Sequence, residues 1–306
     1  MIDSHRDSQV RTLARGFRFL EGPRWHDGKL YVSDIEGRVV LTLQADGTQQ
    51  TLCHVPGKPS GLGFAPDGAL LIVSMTDRRL LRLEANGRTV EIANLSAVTP
   101  FACNDMVVDA QGRAYVGNLG WDTEADDQVR ATNLLFVNTD GKVSVAAENL
   151  VFPNGAAITP DGRTLIVAET FASRISAFDI AADGSLTRRR LWAQLSQKVG
   201  TTVSEIVASR TPSPDGLALD EEGAIWIADA SGNGALRIAE GGTILDRVST
   251  GDSSVYAVAL GGEDGRTLFM CAGPRLLTFD PRLETRAELL ACEVEVGTAP
   301  PPNAMK

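Results

Sequence analysis

The chain has 306 residues, 43% hydrophobic and 22% charged, with a formal net charge of −10. Such a composition suits a globular protein with a large core and argues against a nucleic-acid partner, since phosphate binding needs a basic patch. No apolar run approaches the ~20 residues of a membrane-crossing helix, so no membrane partner is expected.

The N-terminus, with Asp3, Arg6, Asp7 and Arg11, lacks the apolar stretch of a signal peptide. The four cysteines, Cys53, Cys103, Cys271 and Cys292, have no metal-type spacing and read as reduced and buried. Together these features predict a cytoplasmic protein. Residues 9–19 alternate apolar positions (Val10, Leu13, Phe17, Phe19) and read as a strand, expected to pair with a C-terminal strand near residues 288–296.

From Glu21 onward one pattern recurs six times: a short apolar run, a Gly turn and a β-rich run. The copies are GPRWHDGKLYVSD, GLGFAPDGALLIVS, DMVVDAQGRAYVGN, GAAITPDGRTLIVAE, GLALDEEGAIWIAD and AVALGGEDGRTLFMCA. Asp-Gly and Pro-Asp-Gly between β-rich runs signal hairpins, because Gly supplies the positive φ of a tight turn. A third run such as RVVLTLQ or RLLRLEA follows each copy, and usually a fourth. Four strands repeated six times at roughly 40 residues predict an all-β fold, a six-bladed β-propeller of four-stranded antiparallel blades. The prediction is one domain, residues 1–306, with the last blade closed by both termini. Two insertions break the spacing, residues 119–132 and 193–214, and both fall on the rim where the inner strands begin. The best helical candidate is residues 193–210. The triplet Arg188-Arg189-Arg190 reads as a solvated turn.

The residue before each copy is Glu21, Ser60, Asn104, Asn154, Asp215 and Tyr256 in turn. Arranged in a ring, these six side chains surround the mouth of the central channel. Glu21, Asn104, Asn154 and Asp215 offer oxygen only, which selects a hard divalent cation over a thiolate-type zinc site. Ser60 and Tyr256 would mark where the ring opens to substrate. The second strands return to the same rim at Asp34, Ser74, Asn118, Glu169, Asp229 and Ala272. Of these, Asn118, Glu169 and Asp229 are substrate-binding candidates, with Asp34 a further candidate for orienting ligands. Phe101 and Trp121 are candidates for the pocket wall. The three histidines, His5, His26 and His54, leave no credible Ser-His-Asp triad. Base chemistry therefore falls to a carboxylate or to metal-bound hydroxide.

EGPRW at Glu21, ND at Asn104, NG with PDGRTL at Asn154, and PDG with DEEGAIW at Asp215 resemble the senescence marker protein / gluconolactonase / luciferin-regenerating family over most of the chain. The resemblance implies a six-bladed propeller binding one divalent cation, Ca²⁺ foremost with Zn²⁺, Mn²⁺, Mg²⁺ or Fe²⁺ as alternatives. It implies Glu21, Asn104, Asn154 and Asp215 as metal ligands and Asp215 as the catalytic base of a lactonase. The expected partner is a small lactone or ester. A phosphotriesterase- or arylesterase-type hydrolase and a non-catalytic metal-stabilised propeller are the alternatives. One departure matters: sugar-lactone members commonly carry Arg two residues before the motif Asn, and here that residue is Ala102. With Phe101 and Cys103 beside it, the stretch favours a less polar lactone or ester.

Overall fold

The Gly turns work as hairpin corners: Gly68 and Gly162 sit at φ +82° and +70°, a region open to glycine at little cost. Between such corners the β-branched and aromatic runs pair antiparallel. The computed structural model describes residues 10–44, 47–122 and 128–301. Among them are six four-stranded antiparallel sheets, the blades of a β-propeller. The innermost strands, in blade order, are Leu20–His26, Pro59–Phe64, Cys103–Val108, Pro153–Ile158, Pro214–Leu219 and Ser254–Gly261. In the sixth blade the outermost strand is Arg11–Phe17, paired with Ala287–Glu293 from Arg11↔Ala291 to Phe17↔Ala287.

The core is divided among the interfaces between neighbouring blades. Val40 and Val55 of blade 1 meet Leu62 and Ile72 of blade 2. Leu30 and Leu41 meet Phe269 and Leu289 where blade 1 closes on blade 6. There Trp25 stacks on Phe269 with ring centroids 5.4 Å apart, over the bare Cα of Gly261. Each fully buried Leu, Ile, Val or Phe contributes about 1.5–3 kcal/mol, so stability is spread around the ring.

Several local expectations are revised. The helix is Val203–Ser209 only, while residues 186–194 form an outer strand. The helix begins where Thr202 and Glu205 cap it reciprocally. The arginine triplet lies in that strand, not on a turn, and Arg189 reaches inward to Glu169 at 2.7 Å. The two insertions meet: Gln128 bridges Thr202, and Val129 N–H donates to Thr201 O at 3.0 Å. Residues 123–127 of the first insertion and His5 lie outside the described residues. Among the described residues no helix is long and apolar enough to cross a membrane.

Candidate functional site

Each inner strand loses register with its neighbour at the same point. The breaks fall between Glu21 and Arg24, Pro59 and Leu62, Cys103 and Met106, Pro153 and Ala156, Pro214 and Leu217, and Val255 and Ala257. In every case one residue is inserted on the inner strand, a bulge that bends the strand and re-aims a side chain. The six bulges bring Glu21, Ser60, Asn104, Asn154, Asp215 and Tyr256 to the axis.

Glycine makes this convergence tight. In four blades the next residue is Gly22, Gly61, Gly155 or Gly216. A Cβ there would stand 2.5 Å from Ser60 O, 2.6 Å from Met106 N, 2.5 Å from Asp215 O and 2.6 Å from Ala257 Cα, respectively. Neighbouring inner strands therefore touch main chain to main chain. Ser33 Oγ adds a bond to Ser60 O at 2.7 Å between blades 1 and 2.

Glu21, Asn104, Asn154 and Asp215 are all buried and border one cavity of about 330 Å³. Ser60 Oγ donates to Asn104 Oδ1 at 2.8 Å, and Asn154 Nδ2 donates to Thr170 Oγ1 at 3.1 Å. Ser60 thus supports Asn104 and is not among the cavity-lining residues, contrary to the expected opening there. Tyr256 does border the cavity, but its hydroxyl turns outward to Pro274 O at 2.6 Å.

Asn154 Oδ1 and Asp215 Oδ1 are buried without a hydrogen-bond partner among the described residues. Burial, then Asp215 and Asp105, push the Glu21 carboxyl well above the ordinary range; the Gly22 N–H and Arg24 oppose this. Burial and then Asp105 push Asp215 the same way, against the Asn154 amide and the Gly216 N–H. Two buried carboxyls crowded together with orphaned acceptors fit a divalent cation, whose charge reverses the local preference for the neutral acid. Among the described residues no three of His, Cys, Asp and Glu cluster as a metal site; this ring combines two carboxylates with two carboxamides.

A layer not foreseen from sequence lies beside the ring. Arg24 Nη2 donates to Asp105 Oδ1 at 2.8 Å and to Met106 O at 2.7 Å. The sequence signal was Asp105 itself, which stands where four other copies carry glycine.

The second-strand acids and amides do different work from that expected. Asp34 accepts from Phe19 N–H at 3.0 Å and Gly37 N–H at 3.1 Å. Asp229 accepts from the Ser213 and Gly232 N–H groups, both at 3.0 Å. Asn118 binds Gly120 N–H, Thr132 Oγ1 and Asn133 O. Glu169 accepts from Val151 N–H at 2.9 Å, from Arg174, from Arg189 and from Ser176. Burial would raise its carboxyl, but the Arg174 and Ser176 hydrogen bonds and the two arginine charges hold it below the usual range. Asn118, Glu169, Asp229 and Phe101, expected to bind substrate, do not border the cavity. A carboxylate at a strand end found backbone N–H groups of the adjoining loop before it found the pocket. Trp121 does border the cavity, as does Ala102 in place of Phe101.

The wall above the ring is largely aromatic. Trp121, Phe152 and Phe171 form a closed triangle with centroids 5.2–5.4 Å apart. Behind it pack Val203, Ile206 and Val207 of the helix in the second insertion. Among the described residues no histidine lines the cavity. Cys103, beside Asn104, is fully buried, and burial pushes its thiol up to about 12, so it carries no thiolate at neutral pH.

The family description "SMP-30/Gluconolactonase/LRE-like region" matches residues 19–273. The chain is 27% identical over 266 residues to "Pentonolactonase XacC" of Haloferax volcanii, covering 85% of this chain and 84% of that one. It is 28% identical over 258 residues to "6-deoxy-6-sulfogluconolactonase" of Pseudomonas putida, covering 82% and 81%. The fold is similar to that of a calcium-binding protein, regucalcin, from Agrobacterium tumefaciens, with a TM-score of 0.77, 21% identity and coverage of 96% and 97%.

Proposed function

The chain belongs to the SMP-30/gluconolactonase/LRE-like family, and from that membership we propose that it is a divalent-cation-dependent hydrolase that opens a cyclic ester. The observation that carries the reading is the bulge-aligned ring, where Glu21, Asn104, Asn154 and Asp215 share one cavity and two of their oxygens have no partner among the described residues. Relatives named as lactonases support the reaction class. Glu21, Asn104, Asn154 and Asp215 would hold the cation, with Ca²⁺ the first choice for an all-oxygen set. When bound, such a cation polarises the carbonyl oxygen as a Lewis acid.

The chain's own groups account for the rest. Water adds to the lactone carbonyl carbon, the ring acyl C–O bond breaks, and the product is a hydroxy acid. Asp215 takes the proton of the attacking water, and that proton passes to the departing ring oxygen. Asn154 is held by Thr170 and Asn104 by Ser60, so neither amide must reorganise as charge develops. The aromatic wall places low-dielectric material beside the ring, which strengthens the electrostatic contacts there.

The test is a panel of lactones, aryl esters and organophosphates followed by proton release. Lactone hydrolysis should disappear in chelator and return with added cation. Asp215→Ala should abolish it while the variant still melts cooperatively. Full turnover by that variant would remove Asp215 from the base role, and preferred turnover of an organophosphate would move the activity to the phosphotriesterase class.

A further inference from the structure

The ring residues decide what chemistry the floor of the cavity can do; a second tier decides what fits above it. The residue two places before each ring member stands at the start of its inner strand or one residue before it. Four of these border the cavity: Phe19, Lys58, Ala102 and Phe152. Three of the four are apolar. Phe152 holds φ +51°, a conformation rare for a bulky side chain, and Lys58 holds φ +66°. Backbone held this way beside a site marks side chains whose placement is over-determined by their surroundings.

The polar groups on the wall already have partners within the protein. Thr76 Oγ1 donates to Gly57 O at 3.0 Å, Tyr256 Oη to Pro274 O at 2.6 Å, and Ser231 Oγ pairs with Ser213 Oγ at 2.8 Å. Thr170 Oγ1 already accepts from Asn154. The charged pair on the wall, Lys58 Nζ to Glu36 Oε1 at 2.7 Å, closes on itself. A polyhydroxylated ring would bury several hydroxyls against this wall with few partners, a penalty for each one left unmade. On blades 3 and 4 the Trp121–Phe152–Phe171 triangle offers a continuous apolar face instead.

We propose that the substrate is a lactone bearing an apolar alkyl substituent, seated against Trp121, Phe152 and Phe171 while the ring carbonyl faces Glu21, Asn104, Asn154 and Asp215. This deepens, and rests on, the reading of the site as a lactone hydrolase. The cavity, at about 330 Å³, is at the small end of ligand pockets, so it limits the substituent to a short chain.

The experiment measures kcat and KM for γ-lactones with the 4-substituent lengthened from hydrogen to pentyl, beside D-glucono-1,5-lactone. KM should fall roughly fourfold per added methylene until the cavity is filled. In Trp121→Ala and Phe152→Ala, the preference for the pentyl over the unsubstituted lactone, as a ratio of kcat/KM, should shrink at least tenfold; Trp121→Leu and Phe152→Leu serve if either fails to fold. In parallel, calorimetry compares the unreactive lactams 5-pentylpyrrolidin-2-one and pyrrolidin-2-one. A preference for the gluconolactone, or no dependence on chain length in both assays, overturns the alkyl subsite. Tight binding of the pentyl lactam with no lactone turned over upholds the subsite and overturns the hydrolase reading.

Discussion

Asp215→Asn separates a cation site from an ordinary buried carboxyl. In metal-free protein, wild-type Asp215 is buried beside Glu21 and has one oxygen without a partner among the described residues. The amide cannot ionise and brings N–H donors to a ring whose unpartnered atoms are acceptors. Relief of one unsatisfied buried group is worth about 1–3 kcal/mol. With about 2.1 cal/mol/K of unfolding entropy per residue, the 306 residues give a midpoint shift of about 1.6 °C per kcal/mol. In chelator the variant should therefore melt about 2–5 °C above wild type. Cation at one hundred times its dissociation constant stabilises wild type by about 2.7 kcal/mol, or about 4 °C. The variant should lose most of that response. The assay is a thermal melt of both proteins in EDTA and across a Ca²⁺ series. A variant that melts below wild type in EDTA and keeps the full Ca²⁺ shift would refute the reasoning.

Two further outcomes test the scaffold. Glu169→Gln weakens a carboxylate shared by Arg174 and Arg189, whose side chains are 30% and 31% exposed; discounted for that exposure, the loss should be about 2–4 kcal/mol at neutral pH. Because the folded carboxyl lies below its unfolded value, this stability is present above the unfolded pKa and is lost as pH falls through the folded one. Denaturation curves of wild type and variant should therefore converge in acid, and a gap independent of pH would contradict the ion-pair account. Gly155→Ala forces a Cβ to within 2.5 Å of Asp215 O and Leu217 N, so blades 4 and 5 must part. Calorimetric Ca²⁺ affinity should fall at least tenfold, and unchanged affinity would mean the ring does not depend on that contact.

The propeller was readable because its signals are local and repeated. A Gly corner recurs seven to nine residues after each ring position, and that near-constant spacing exposes Glu21, Asn104, Asn154 and Asp215. The wall was not readable in this way. Whether Asp34, Asn118 or Asp229 turns to the cavity or to a loop N–H depends on a rotation at the strand end that the residue type does not encode. Arg24 and Asp105 are 81 residues apart and meet only because blades 1 and 3 share the axis. Phe152 entered the wall through a left-handed backbone that Phe seldom adopts. Of residues 193–210, read as a helix from sequence, the outer strand of blade 4 takes 193–194, residues 195–202 are irregular, and only Val203–Ser209 is helical.

The contacts at Gly22, Gly61, Gly155 and Gly216 make the floor a gauge of fixed bore. At these points the spacing of neighbouring strands is set by the thickness of the backbone itself, not by any side-chain rotamer. The tier above is held by different means: Asp34, Glu169 and Asp229 grip the N–H groups of the segments that lead into it. Residues such as Ala102 or Phe152 can therefore be exchanged without altering the bore. One reactive centre can in this way serve lactones of different polarity, each variant differing in its interchangeable collar.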